Sequence, residues 1–151
     1  DQMDLGIFYG KTYVCDLRQI AKPGHPLTID DLKAGGLPNE DKLRNNRMLM
    51  YADWAASRWT GPDLYKGNMY LSEETAHWLV STGVVALAMD FSVDGHYPYP
   101  CHQILLAAGI PLIENLINID QIGSAEFTMI ALPMKIEKGD GAPARVLAIT
   151  D

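Results

Sequence analysis

The stretch Pro100–Leu116, PCHQILLAAGIPLIENL, constrains the fold more than any other part of this chain. Its apolar run from Ile104 to Ala108 fits a short helix opened by Pro100 and closed by Gly109. Ile110–Ile113 then reads as a buried strand ending at Glu114 and Asn115. A two-turn helix covers roughly 10 Å at ~1.5 Å per residue, and a five-residue strand running back covers roughly 16 Å at ~3.3 Å per residue. His102 and Glu114 therefore reach the same end of the unit. A neutral imidazole beside a carboxylate is a usual half of a divalent-metal site.

Other segments extend the same alternation. Lys11–Leu17 reads as a strand, and Thr28–Asp31 as a capping-box start of a short helix that Gly35 and Gly36 end. Arg47–Tyr51 is a buried strand candidate, Asp53–Trp59 a helical turn with two tryptophans, and 61–69 a loop. Ser72 is a good N-cap, with Glu73 and Glu74 in the first turn favouring the helix dipole, and the helix stops at Gly83. Val84–Met89 is a continuous apolar run, as expected of a strand buried on both faces. After the turn-rich, aromatic loop from Asp94 to Pro100, Phe127–Ile136 and Arg145–Ile149 read as closing strands joined by a turn at Lys138–Gly141. Strands and helices alternate in the middle and strands dominate the end, which predicts one α/β domain over residues 1–151 with a mixed sheet.

The composition limits the partners. Hydrophobic residues make up 48% and charged residues 21% of 151 positions, enough for a real core. A net charge of −7 without a Lys/Arg cluster argues against nucleic acid and anionic membranes. No apolar run approaches the ~20 residues that span a bilayer, and residues 1–10 carry no signal-peptide pattern. Cys15 and Cys101 form no CxxC and read as free buried thiols of a reducing, cytoplasmic compartment. Cys101 adjoins His102, but neighbours on a helix point ~100° apart, so adjacency makes no Cys–His pair.

Among the polar residues, a lone histidine near a helix start is ordinarily structural. Glu114, directly after Ile-Pro-Leu-Ile, is costly to bury unpaired and needs a cation, for which a metal or Arg145 would serve. Asp90 ends a buried strand, where ligands of α/β proteins gather, although capping loop amides is the simpler role for Asp90 and Asp94. His25 and His77 read as surface residues. The Gly139-Asp140-Gly141 turn is too short for a phosphate loop.

The segments 71–83, 84–94, 100–116 and 127–149 resemble, in order and spacing, the cyclase family of metal-dependent hydrolases, which includes bacterial kynurenine formamidases and isatin hydrolases. The resemblance implies a swivelling β/β/α fold and a hydrolase that opens a small amide, lactam or lactone with metal-activated water. It implies metal ligation by His102 and Glu114, with Zn²⁺ or Mn²⁺ as the ion. Asp94 matches an acidic position of the family and is a candidate for direct contact with substrate, and His96, in the aromatic loop, would be a third ligand, a substrate contact or an exposed loop residue. Trp54, Trp59, Tyr65 and Tyr70 lie where relatives form a pocket wall, and packing in the core or at an interface is the competing role.

The family's principal motif, H-x-G-T-H-x-D, precedes the region matching Tyr9–Leu17 and does not occur in this sequence. Asp1 is not an initiating Met, so the chain is expected to be the C-terminal part of such an enzyme, without its N-terminal strands and its general base, and inactive by itself. The alternative is a degenerate, non-catalytic module used for binding or oligomerisation. Relatives are commonly dimers or tetramers, and a homo-oligomer acting on a small-molecule substrate is expected.

Overall fold

In the computed structural model, which describes residues 1–56 and 65–150, the chain builds a mixed six-stranded sheet. Its strands are β1 (Tyr9–Asp16), β3 (Arg47–Tyr51), β5 (Ala86–Met89), β6 (Leu112–Ile113), β7 (Glu126–Ile130) and β8 (Leu147–Ile149). They lie in the order β6-β5-β3-β1-β7-β8. The first four are mutually parallel, and β7 and β8 add antiparallel. A separate two-stranded parallel ladder joins β2 (Pro26–Leu27) to β4 (Tyr70–Leu71). Helices α1 (Ile29–Ala34), α2 (Glu40–Leu43), α3 (Glu73–Thr82) and α4 (Pro100–Ala107) supply the crossovers.

The period-two alternation of each strand divides the core into two layers. Met48 and Met50 of β3, and Leu87 and Met89 of β5, pack with Leu32, Leu43, Leu79 and Leu105 on the helical face. Leu49, Tyr51, Ala86 and Ala88 point the other way, toward Phe8, Ile113, Ile119, Phe127 and Met129. Both β3 and β5 are buried at every position, so their sequences read as unbroken apolar runs rather than alternating ones.

Local signals set the helix ends. Thr28 and Asp31 form the full capping box of α1. Ser72 Oγ accepts from Thr75 N at the start of α3, and Gly83, at φ 77°, closes that helix in the left-handed region that a side chain would strain. Prolines shorten the strands. Pro111 has no N–H to give and offers only its carbonyl to Leu87 N, so β6 starts at Leu112 rather than Ile110. The predicted closing strand 127–136 likewise stops at Ile130, and beyond it only a single Pro133–Ala144 bridge continues the pairing. The expected helical turn at Asp53 is not formed in the described part, because the Asp90 carboxylate takes the amides of Ala52 and Trp54 and holds the chain in a bend. Residues 57–59 of that expectation lie outside the described residues. Among the described residues no helix is long and apolar enough to cross a membrane.

Leu79 is fully buried between α3 and the sheet. Leu79→Ala is expected to lower the unfolding free energy by about 2–5 kcal/mol in urea titrations. A loss below about 1 kcal/mol would mean that α3 is not docked as described.

Candidate functional site

The carboxyl ends of parallel strands β5 and β6 meet the amino end of α4, where Asp94 from the turn after β5, His102 of α4 and Glu114 after β6 come together. Asp94 is buried and serves as a cap delivered from outside the helix, since Tyr99 at the N-cap position makes no side-chain cap bond. Its Oδ1 accepts from Cys101 N at 3.0 Å and its Oδ2 from His102 N at 2.8 Å. The exposed donors and dipole of a helix start favour an anion at that place. Oδ2 also lies 2.7 Å from Nδ1 of the His102 ring. From the far side, Glu114 follows β6, and its Oε1 accepts from Val93 N at 2.6 Å and Ser92 Oγ at 3.4 Å. The same oxygen stands 3.7 Å from His102 Nε2.

Asn68 secures the turn that carries these groups. Its Oδ1 accepts from Ser92 N at 3.0 Å, while Nδ2 donates to the carbonyls of Ser92 at 2.7 Å, Met69, and Asp94 at 3.3 Å. Next to it, a Cβ on Gly95 would meet the Tyr70 ring at 2.5 Å, so only glycine lets the loop cross that ring. His102, Glu114 and Asp94 open on a pocket of about 620 Å³, with Tyr65, His96 and Tyr99 among its walls. That volume falls within the roughly 300–1,000 Å³ of small-molecule sites.

The structure thus brings His102 and Glu114 together as the spacing predicts. Arg145 is exposed, and the contacts described for Glu114 are with Val93, Ser92 and His102 instead. His96 lies in the pocket wall with its ring 5.8 Å from that of Tyr70. Among the described residues no three His, Cys, Asp or Glu side chains are grouped to hold one ion. Asp94 lines the pocket, and both of its oxygens are engaged with groups of the protein at the start of α4. Trp54 is 4% exposed in the helical-face core and does not line the pocket, because Asp90 fixes its backbone under the sheet end. Trp59 lies outside the described residues. Tyr65 is in the wall as expected, whereas Asn68 and Ser92 were not foreseen; both act through the backbone of a turn, which no spacing motif records.

The donors suit a metal in part. Ligands of one four-coordinate ion, with bonds of ~2.0–2.2 Å, stand roughly 3.4 Å apart at tetrahedral angles. The 3.7 Å between Nε2 and Oε1 is close to that separation and is too long for a hydrogen bond. An imidazole nitrogen and a carboxylate oxygen fit half of a zinc or manganese shell.

The other titratable groups are held quiet. Burial and the neighbouring Asp94 charge push the Cys101 thiol up to about 12, and burial, with a lesser contribution from Asp16, does the same for Cys15. Asp90 is raised by burial in spite of the amides it accepts.

Comparison with known proteins places these features. The Putative cyclase family model matches residues 1–95. Kynurenine formamidase of Geobacillus thermodenitrificans is 29% identical over 146 residues, covering 95% of this chain and 64% of that protein. Isatin hydrolase of Roseibium aggregatum is 25% identical over 152 residues, covering 89% of this chain and 56% of that protein. The chain therefore spans less than two thirds of the length of these curated relatives. An isatin hydrolase bound to the product analogue thioisatinate superposes with a TM-score of 0.82 at 23% identity, over 98% of this chain and 62% of that one. A potential metal-dependent hydrolase with cyclase activity gives 0.78 at 22% identity, over 97% and 68%. At those identities the structural likeness shows the shared α/β fold.

Because both thiols are buried and protonated at neutral pH, the native protein at pH 8 is expected to react with a disulfide thiol reagent far more slowly than the urea-unfolded chain. Fast modification of Cys101 in the native state would contradict the placement of α4.

Proposed function

This chain belongs to the cyclase family, and we propose that it serves metal-dependent hydrolysis of a small amide, lactam or lactone. The observation that carries this reading is the convergence of His102 Nε2 and Glu114 Oε1 at 3.7 Å on the edge of the pocket. His102 and Glu114 would hold the ion, Zn²⁺ or Mn²⁺. When bound, such an ion supplies a water of lowered pKa and polarises the scissile carbonyl. The names of the relatives, kynurenine formamidase and isatin hydrolase, support an aryl formamide or an aryl-fused lactam as substrate.

The chain's own residues orient and enclose. Val93 N and Ser92 Oγ hold Glu114 in one rotamer, so its carboxylate stays directed at His102. Tyr65 and Tyr99 present aromatic surface to the pocket, and the Tyr99 ring sits edge-on to the imidazole at 6.1 Å between centroids. A planar substrate gains both burial and ring contact there. Two protein donors make a weak site, so turnover is expected only where further ligands complete the shell. No general base is assigned among the described residues.

The test is calorimetric titration with ZnCl₂ and MnCl₂, beside hydrolysis of N-formylkynurenine and of isatin. His102→Ala and Glu114→Ala are each expected to weaken metal binding by at least about a hundredfold and, in a protein whose metal shell is complete, to abolish hydrolysis. Metal-dependent turnover that survives both substitutions would overturn the assignment. Tight metal binding with no turnover of any amide, lactam or lactone by a protein whose shell is complete would favour the non-catalytic module instead.

Self-association belongs to the same proposal. Edge strand β8 exposes 51% of Leu147 and 54% of Ile149, and an apolar edge of this kind favours pairing with another chain. Light scattering after size exclusion is expected to give a multiple of the protomer mass, and a monomer at micromolar concentration would remove this part of the reading. Free buried thiols support a reducing, cytoplasmic setting.

A further inference from the structure

We infer that Asp94 is a positioning residue that selects which imidazole nitrogen of His102 carries the proton, and so leaves the Nε2 lone pair free on the side facing Glu114. The inference rests on the reading of His102 and Glu114 as metal ligands and adds what prepares one of them.

The Asp94 side chain is only 2% exposed, and each of its oxygens accepts from a backbone N–H. Three N–H groups are placed to donate to it: Cys101 N to Oδ1, and His102 N and His102 Nδ1 to Oδ2. The backbone bonds leave no freedom in the carboxylate's orientation, since they pin one oxygen each. A 2.7 Å approach of Nδ1 to an anionic oxygen is favourable only when Nδ1 bears hydrogen. The neutral ring then keeps its lone pair on Nε2. Nε2 in turn is 3.7 Å from Glu114 Oε1, too far for a hydrogen bond, so the lone pair is not used within the protein. A ring with Nε2–H would instead set the Nδ1 lone pair against the buried anion and aim a proton at the position a cation would take. A proton on both nitrogens would make His102 an ion-pair partner of two carboxylates and no donor at all.

The arrangement also couples the helix to the ligand. The same Oδ2 that accepts from the His102 ring caps the His102 amide, so ring and backbone are registered by one atom. An outer carboxylate of this kind typically adds 10- to 100-fold to metal affinity.

The deciding experiment is long-range ¹H–¹⁵N correlation of the imidazoles in the metal-free wild-type protein at mildly alkaline pH, with His102→Gln identifying the signal. A pyrrole-type Nδ1 and a pyridine-type Nε2 are expected. An Nε2–H tautomer, or a doubly protonated ring, would overturn the inference whatever the metal data show. Asp94→Ser retains an oxygen for the helix start and is expected to return His102 toward Nε2–H and to weaken zinc binding about 10- to 100-fold. Unchanged zinc affinity in Asp94→Ser with native circular dichroism would also overturn it. A wild-type protein that binds no zinc would sink the ligand reading while leaving the tautomer result to stand on its own.

Discussion

The end of strand β5 depends on buried carboxylates that accept what the sheet no longer can. Where parallel strands stop, their amides and those of the following loops lose ladder partners, and a buried unpaired N–H is costly. Asp90 answers for the bend after β3 by accepting from Ala52 and Trp54, and Asp94 answers for the first turn of α4 by accepting from Cys101 and His102. Between them Asn68 closes the turn on both its donor and acceptor sides. The cost of holding Asp90 as an anion appears in its raised protonation range, where burial outweighs the amides around it. Side chains thus help to fix the bend after β3, the turn after β5 and the start of α4 at one sheet end, and the pocket opens there.

Much of this architecture was legible because each signal was local. The apolar runs of β3 and β5, the Ser72 cap, the Gly83 stop and the capping box at Thr28 each declare themselves within a few residues. The convergence of His102 and Glu114 was legible because helix and strand lengths alone limit where the chain returns. Elements decided by distant partners were not. The two-residue strands β2 and β4 exist only because Pro26 and Leu27 register with Tyr70 and Leu71. The short α2, capped by Asn39, has too few residues for a periodic pattern. For Trp54 the resemblance left pocket wall and core packing both open, because a tryptophan's sequence neighbourhood does not say which side of a layer it faces; with its amide bound to Asp90, it packs in the core.

The two faces of the sheet are unequal in how they are covered. On one, α1, α3 and α4 bury a continuous layer with Met48, Met50, Leu87 and Met89. On the other, cover comes from the single turns Leu5–Phe8 and Ile119–Gln121 and from loop residues such as Leu116 and Val146. Arg47 reaches across to the first of these turns, donating to the carbonyls of Gly6 and Ile7, and a side chain on Gly10 would collide with its guanidinium. Cys101 and Leu105 seat α4 in the helical-face layer, and so anchor the helix that carries His102.

At the start of α4 a thiol and an imidazole occupy successive positions, and one anion decides between them. A cysteine in the first turn of a helix ordinarily becomes more acidic, because the dipole and free amides stabilise a thiolate. Cys101 goes the other way. It is buried, it donates to Leu71 O, and Asp94 places a negative charge beside it, so the thiol rises to about 12. The helix start has already spent its capacity for an anion on Asp94. His102, one residue later and partly exposed, is oriented by the 2.7 Å contact of its Nδ1 with that carboxylate, which stands as the acceptor. The Cys101 thiol is thereby held toward its protonated form, while His102 Nε2 and Glu114 Oε1 face each other at 3.7 Å on the edge of the pocket.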